Sequence, residues 1–177
     1  MNINIRKKFW RFEKDLNEYE KINLSNPFLQ ELYEIDLNKI RENCIKVRER
    51  KDSGKIQFFY DRLEKLKKRY EILEDIATLH TLLKPFLSDD SDFAKFLGIT
   101  YIDDLRKLEV MREVLKDATK EIVRQYNRNG YVPRIRLIDS NKSIRYELIE
   151  EPRGKIGREE VERLIAPIQV YISNHKL

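Results

Sequence analysis

The stretch from residue 55 to residue 87 constrains the fold of this 177-residue chain more than any other part. Its apolar residues recur at alternating spacings of three and four, which places them along one side of a helix. These residues are Ile56, Phe59, Leu63, Leu66, Tyr70, Leu73 and Ala77. Asp52-Ser53-Gly54 precedes the stretch and Pro85 lies near its end, so helix-breaking residues mark both ends. A helix of this extent is about 50 Å long, and other helices have to cover its apolar stripe.

The composition agrees with long, charged helices. Charged residues make up 38% of the chain, well above the usual quarter, and there are only 5 glycines and 5 prolines. Hydrophobic residues make up 41%, which is enough for a packed core. The sequence therefore predicts a mainly α fold class, with the helices exposing charged, solvated faces.

Two shorter helices are predicted before the central stretch. Residues 4–22 and residues 28–51 each carry an apolar stripe at helical spacing. Between them, Leu24-Ser25-Asn26-Pro27 interrupts the pattern, with Ser25 or Asn26 as the candidate cap of the second helix and the proline suited to its first turn. These two helices are expected to form a helical hairpin.

A fourth long helix is predicted over residues 101–128. Thr100 is its candidate capping residue, and Gly130 is suited to the left-handed position that ends a helix. In the connector before it, Ser91 is expected to cap a short helix. Because this connector is short, the central helix and the fourth helix should pack as a second hairpin, and the two hairpins form a helical bundle over residues 1–130.

The character of the sequence changes after the fourth helix. Residues 131–138 and 144–150 are rich in Val, Ile and Tyr and alternate in polarity, and residues 139–143 supply a turn, which predicts a β-hairpin. A helix is expected to begin near Arg158. Residues 168–173 follow a proline and fit either a strand or a kinked helix, and the sequence leaves both open.

The predicted hairpin has two different faces. Ile135 and Leu137 share one face, whereas Arg134 and Arg136 share the other. Since an isolated hairpin is only marginally stable in water, it has to pack on helices, a partner or a third strand. We predict that residues 131–177 form a small α+β subdomain packed on the bundle.

Basic residues of the C-terminal part make the best candidate surface for nucleic acid or another anion. They are Arg134, Arg136, Arg145, Arg153, Lys155 and Arg158. A second basic group, Lys65, Lys68 and Arg69, lies on the central helix. The net charge of +5 permits such a partner without requiring one. Gly154-Lys155-Ile156-Gly157 fits the GxxG loop of KH modules, but those modules place a helix before the loop, and the alternative is a tight turn from strand to helix.

The first helix combines Trp10 with several cations. These are Arg6, Lys7, Lys8 and Arg11. One interpretation is a basic and aromatic surface for phosphate or lipid. The sequence favours the other, an amphipathic helix with aromatic residues in the core and solvated cations, because Glu13 and Asp15 follow at once.

Several chemistries find no support in the sequence. The single cysteine, Cys44, excludes an internal disulfide, lies on an apolar stripe and is expected to be a small buried hydrophobe. Two histidines offer too few ligands for a metal site. Walker, dinucleotide-binding and G-x-S-x-G motifs are missing. We therefore expect no catalytic activity, cofactor or metal, and a reducing, cytoplasmic location. No apolar run approaches about 18 residues, so no membrane span is expected.

These patterns predict a non-catalytic interaction or assembly protein. It would bind a protein partner, or itself as an oligomer, through long amphipathic helices that pair as in a coiled coil. The alternative prediction is a nucleic-acid-binding helical subunit that uses the basic C-terminal surface.

Overall fold

The computed structural model describes residues 3–93, 95–149, 155–156 and 158–177. These residues form six α-helices and a three-stranded antiparallel sheet. The helices are α1 (Ile3–Glu20), α2 (Pro27–Glu49), α3 (Ile56–Leu83), α4 (Phe96–Ile99), α5 (Leu105–Asn129) and α6 (Arg158–His175). The strands are β1 (Val132–Asp139), β2 (Ile144–Ile149) and β3 (Lys155–Ile156). The predicted fold class, mainly α with a C-terminal β-hairpin followed by a helix, is confirmed.

The chain divides into two compact units, Met1–Glu74 and Asp75–Leu177. The division falls inside α3, so this helix begins in the first unit and ends in the second. The predicted organisation into a bundle over residues 1–130 and a subdomain over residues 131–177 stays a prediction.

In the first unit, α1 and α2 form the predicted helical hairpin. Asn26 caps α2, because its side-chain oxygen accepts a hydrogen bond from the Leu29 N–H at 3.1 Å. The Tyr33 hydroxyl donates to the Tyr19 carbonyl of α1 at 2.6 Å. Ion pairs join the two helices as well, among them the pair of Arg48 with Glu13.

The apolar stripe predicted for the central stretch is buried along its whole length. Its members each expose 8% of their surface or less: Ile56, Phe59, Leu63, Leu66, Tyr70, Leu73 and Ala77. A 3-10 turn at Ser53–Lys55, capped by Asp52, precedes α3. A second 3-10 turn, Lys84–Phe86, contains Pro85 and follows α3 directly.

In the second unit, β1 is the middle strand of the sheet, with β2 on one side and β3 on the other. Ile135 and Leu137 are buried, whereas Arg134 is exposed and Arg136 is partly exposed. The predicted alternation of the hairpin is therefore confirmed. Strand β3 supplies the third strand that an isolated hairpin needs.

The segment from Leu87 to Asp92 covers the rest of the β1 edge on the β3 side. The Ser88 N–H donates to the Ile135 carbonyl at 2.8 Å, and the Asp92 N–H donates to the Leu137 carbonyl at 2.8 Å. In return, the Leu137 N–H donates to the buried Ser91 hydroxyl oxygen at 3.1 Å. Ser91 is therefore an edge-pairing residue, and its predicted role as a helix cap is wrong.

The predicted start of the fourth long helix is also wrong. α5 begins at Leu105, because the Asp104 carboxylate accepts the N–H groups of Arg106 and Lys107 at 2.9 and 3.3 Å. The Thr100 hydroxyl instead donates to the Leu97 carbonyl at 2.7 Å. At the other end, the residue after Asn129 is the expected glycine, with a φ of 72°.

The C-terminal segment is helical throughout. α6 continues through Pro167 to His175, which decides between the two alternatives for residues 168–173 in favour of a helix. Its buried side chains, Val161, Ile165, Ile168 and Tyr171, follow helical spacing. Among the residues that the structure describes, no helix has both the length and the apolar character that crossing a bilayer requires.

Candidate functional site

The outer face of the β-hairpin brings together three of the predicted basic residues. Cross-strand pairing places Arg134 opposite Ile149, Arg136 opposite Glu147, and Ile138 opposite Arg145. A cleft of about 380 Å³ lies beside this face. It is lined by Leu87, Ser88, Asp89, Asp90, Arg134, Arg136 and Ile149.

Acidic partners neutralise most of this face. Arg136 Nε lies 2.8 Å from an Asp90 carboxylate oxygen, and Glu147 lies between Arg136 and Arg145, at 3.9 and 3.4 Å. Arg134 donates to the Pro85 carbonyl at 3.2 Å. The hairpin face is therefore a network of mixed charge, which offers a phosphate backbone less net attraction than the arginines alone suggest.

Asp90 is held in its charged form by this network. The Ser88 hydroxyl donates to the Asp90 carboxylate at 2.7 Å, and Arg136 contacts the other oxygen. These two contacts, the serine first, lower the pKa of Asp90 below its ordinary value. Asp90 is thus a fixed negative charge at the mouth of the cleft.

Among the other predicted basic residues of the C-terminal part, the structure describes the side chain of Arg158 alone. Arg158 begins α6, is 82% exposed and pairs with Glu162 at 3.4 Å. Arg153 and the two glycines of the GxxG pattern lie outside the described residues. The Lys155 backbone pairs with Pro133 in the sheet.

The second basic group belongs to the other unit. Lys65 and Lys68 are exposed on α3 and Arg69 is partly exposed, and all three lie within Met1–Glu74. Next to them, the Tyr70 hydroxyl donates to the Asp36 carboxylate at 2.5 Å. The residues predicted to bind an anion therefore fall in both units.

Three tyrosines of the first unit are held in their neutral form. Burial raises the pKa of Tyr33 to about 12. Burial and the hydrogen bond to Asp15, 2.7 Å long, raise the pKa of Tyr60 to about 12 as well. Burial, with Asp36 as the second cause, raises the pKa of Tyr70 above its ordinary value. The fold thus disfavours ionisation of these phenols relative to the unfolded chain.

We expect the protein to lose stability between about pH 10 and pH 12. Tyr33 and Tyr60 contribute their full stabilisation below the unfolded pKa of about 10, and the contribution is lost as the pH rises through their folded pKa values of about 12. The measurement is the urea midpoint at pH 8 and at several values above pH 10. The Tyr60→Phe variant, which cannot ionise, should lose less than the wild type over this range. Equal losses in the two proteins would contradict the assignment.

Cys44 is buried and exposes 4% of its surface, as the sequence predicted. Burial is the largest cause that raises the pKa of its thiol, and the nearby Glu13 raises it further. A raised thiol pKa is the opposite of what a cysteine nucleophile requires. Cys44 is therefore a core side chain of the first unit.

Trp10 differs from the other aromatic residues of α1. Phe9 and Phe12 are buried as predicted, but Trp10 is 62% exposed. The Lys14 ammonium lies 5.5 Å from the centre of its ring, a cation–π contact. The favoured interpretation, in which the aromatic residues of this helix are core residues, thus does not hold for Trp10.

α2 also carries an exposed apolar row that was not predicted from the sequence. Phe28, Ile35 and Ile45 expose 37%, 45% and 49% of their surface. A second row at spacings of three and four, opposite the buried stripe, was the signal that could have revealed them. The buried stripe contains more apolar residues than the exposed row, so the periodicity of the sequence is dominated by the buried stripe.

The comparisons with known proteins give no family for this chain. No protein-family model, curated protein or solved structure matches it. Within the described residues, no group of three or more histidine, cysteine, aspartate or glutamate side chains is placed to hold a metal ion. The surfaces described above are therefore the basis for assigning a function.

Proposed function

We propose that this protein is a non-catalytic interaction protein that binds a protein partner, or a further copy of itself, through the outward sides of its long helices. The observation that carries the proposal is the set of large apolar side chains exposed on α1 and α2, which includes Trp10 and Ile35. Exposed aromatic and aliphatic residues on rigid helices are typical anchors of protein interfaces.

The apolar stripe of α3 is buried and is therefore not the proposed interface. The stripe on α3 is enclosed, with Leu63 and Leu73 fully buried. A partner that approached it would have to open the core, at a large cost in free energy. The exposed apolar side chains of α1 and α2 require no such opening, so the proposed interface lies there. The accompanying location is a reducing, cytoplasmic one, supported by the single buried thiol.

Nucleic-acid binding is the competing function, and the charge distribution weighs against it. Counterion release demands cations that are available to phosphates. On the hairpin face, Arg136 and Arg145 share Glu147, and Arg136 also contacts Asp90. The exposed Lys65 of α3 remains the better phosphate contact.

One pair of measurements separates these functions. We expect nuclease-treated protein to sediment as an oligomer, or to retain a stoichiometric protein partner, with little change between about 50 and 300 mM salt. In the same salt range, labelled DNA and RNA should bind weakly, and Arg134→Glu with Arg136→Glu should change that binding little. Tight, steeply salt-dependent binding that these two substitutions abolish would contradict the proposal and support the nucleic-acid function.

A further inference from the structure

One end of the first unit is formed by the first half of α1, the end of α2 and the start of α3. We define this basic end as residues 3–14 and 46–62. The rings of Phe12 in α1 and Phe59 in α3 lie 5.9 Å apart, and Arg48 of α2 forms an ion pair with a glutamate of α1. The two stretches therefore make one contiguous region.

Positive charge is concentrated at the basic end. It contains eleven lysines and arginines against four aspartates and glutamates, whereas the rest of Met1–Glu74 contains seven against ten. Three of its four acids already bind groups of the protein itself. They are Glu13, Asp52 and Asp61. The charge distribution of the first unit therefore directs this end towards an anionic surface.

The exposed charges of α1 from Ile3 to Lys14 are all positive. The acids that come next in the sequence do not neutralise them, because Glu13 pairs with α2 and Asp15 accepts a hydrogen bond from α3. Four of these cations form no ion pair among the residues that the structure describes. They are Arg6, Lys7, Lys8 and Arg11.

The most exposed large hydrophobic side chains of the first unit lie at the same end. Among its described residues, Ile3, Trp10 and Phe58 lead with 69%, 62% and 56% of their surface exposed. The Lys14 ammonium lies 5.5 Å from the centre of the Trp10 ring. The Arg62 guanidinium lies 5.8 Å from the centre of the Phe58 ring. Two independent properties, positive charge and exposed apolar area, therefore coincide at the basic end.

We propose that the basic end docks on the surface of an anionic phospholipid membrane, with Ile3 and Trp10 inserted among the lipid headgroups. This inference goes beyond the proposed function, which concerns a protein partner. Cations beside exposed aromatic and aliphatic side chains are typical of helices that bind a membrane interface. Tryptophan is enriched at the level of the headgroups, and each Lys or Arg near an anionic membrane strengthens binding about fivefold.

The arrangement of side chains favours a membrane over other polyanions. Ile3, Lys7, Trp10 and Lys14 follow one another at spacings of four and three, so apolar and cationic groups share one side of α1. A membrane interface places anionic headgroups beside apolar chains, whereas a nucleic-acid backbone offers phosphates without an apolar phase for an aliphatic side chain. A membrane is also an extended plane that repels acidic residues within a Debye length, and the basic end keeps most acids of the unit away from it.

The acidic residues also determine the orientation on the membrane. Asp15 and Glu18 follow the basic stretch of α1 and are exposed, so the helix does not lie flat along its whole length. It tilts instead, with Ile3 nearest the lipid. This tilt brings the 3-10 turn Ser53–Lys55, at the start of α3, towards the headgroups as well.

A cleft of about 410 Å³ between α1 and this turn provides a place for a headgroup phosphate. Lys8, Arg11 and Ser53 are among its lining residues. Two cations and a hydroxyl supply the charge-assisted hydrogen bonds that a phosphate accepts.

Trp10 is the only tryptophan of the chain, so its fluorescence reports on docking directly. Wild-type protein should bind vesicles of phosphatidylcholine and phosphatidylserine mixed in equal parts, and should not bind vesicles of phosphatidylcholine alone. On binding, the Trp10 emission should shift to shorter wavelengths, and lipids brominated in the upper part of their acyl chains should quench it. The absence of binding, or binding without either change in emission, overturns the inference.

Charge reversal at matched positions tests whether the basic end is responsible. Lys7→Glu with Lys8→Glu should lower the vesicle partition coefficient at least tenfold. Lys39→Glu with Lys67→Glu makes the same change in net charge at exposed positions outside the basic end, and should lower it less than threefold. Circular dichroism should show unchanged helicity in both variants, because all four side chains are exposed. Equal losses of binding would mean that net charge alone drives it, and would overturn the inference.

Truncation of apolar side chains provides a test without any change in charge. Trp10→Ala should lower the partition coefficient at least fivefold in vesicle sedimentation, since the indole supplies apolar area that leaves water on docking. Ile35→Ala, at an exposed position of α2 outside the basic end, should leave it unchanged. Equal partition coefficients for Trp10→Ala and the wild type would contradict the insertion of α1.

Nucleic acid is the competing partner for the basic end. If labelled single-stranded RNA or DNA binds the wild type but not Lys7→Glu with Lys8→Glu, and vesicles do not bind, the basic end is a nucleic-acid surface and the membrane inference is overturned. Neither result decides the proposed function. That function is tested without lipid and has further exposed apolar residues on α2, among them Ile35 and Ile45.

Discussion

Replacement of Leu63 by alanine is expected to lower the free energy of unfolding by about 3 to 5 kcal/mol. Leu63 lies in the middle of the α3 stripe and exposes 0% of its surface, so the change removes a buried side chain and leaves a cavity. Urea unfolding followed by circular dichroism measures the effect. Since folded proteins are stable by only about 5 to 15 kcal/mol, a loss of this size is a large part of the total.

The same substitution at an exposed position is the control. Leu97 is 60% exposed, and Leu97→Ala should change the free energy of unfolding by less than about 0.5 kcal/mol. Similar small effects at both positions would mean that the α3 stripe is not the core in solution. A large effect at Leu63 would confirm that this stripe is unavailable to partners.

The second large effect is expected from Ser91→Ala, at about 1 to 3 kcal/mol of destabilisation. The Ser91 hydroxyl is the acceptor for the Leu137 N–H of β1, at 3.1 Å, and the pair is buried. Alanine leaves that N–H without its partner in a place that excludes water. Hydrogen exchange of the Leu137 amide should accelerate in the variant, in parallel with the loss of stability.

Ser140 provides the matched control for this prediction. Its hydroxyl also accepts a backbone N–H, that of Ser143 at 3.2 Å, but in an exposed turn. Water can replace the serine there, so Ser140→Ala should cost much less than Ser91→Ala. An equal loss in the free energy of unfolding at the two positions would show that burial does not determine how much the Ser91 hydrogen bond stabilises β1.

The helices could be predicted from the sequence because their signals are local. The buried stripe of α3 and the Asn26 cap of α2 need only neighbouring residues to be recognised. The start of α5 was missed because Thr100 and Asp104 are both good caps, and the choice depends on which backbone groups each one reaches. Ser91 was misjudged for a related reason, since its partner in β1 is remote in the sequence.

The candidate surfaces were harder to predict. The basic hairpin face was recognisable, but its neutralisation was not, because Asp90 meets Arg136 only in the folded chain. In α1, the buried Phe9 and the exposed Trp10 are adjacent in the sequence and about 100° apart around the helix. The sequence placed Trp10 beside the stripe but did not show where the buried side ends. Sequence periodicity identifies the buried side of a helix more readily than it identifies an exposed side that binds a partner.

The division of the chain inside α3 has a practical consequence for dissecting the protein. A fragment that stops at Glu74 would sever a continuous helix and leave the last carbonyls of its final turn without partners. A complementary fragment from Asp75 would begin with unpaired N–H groups and no capping residue of its own. Halves intended for separate study should therefore both include the whole of Ile56–Leu83, each ending or beginning at a natural terminus of the helix.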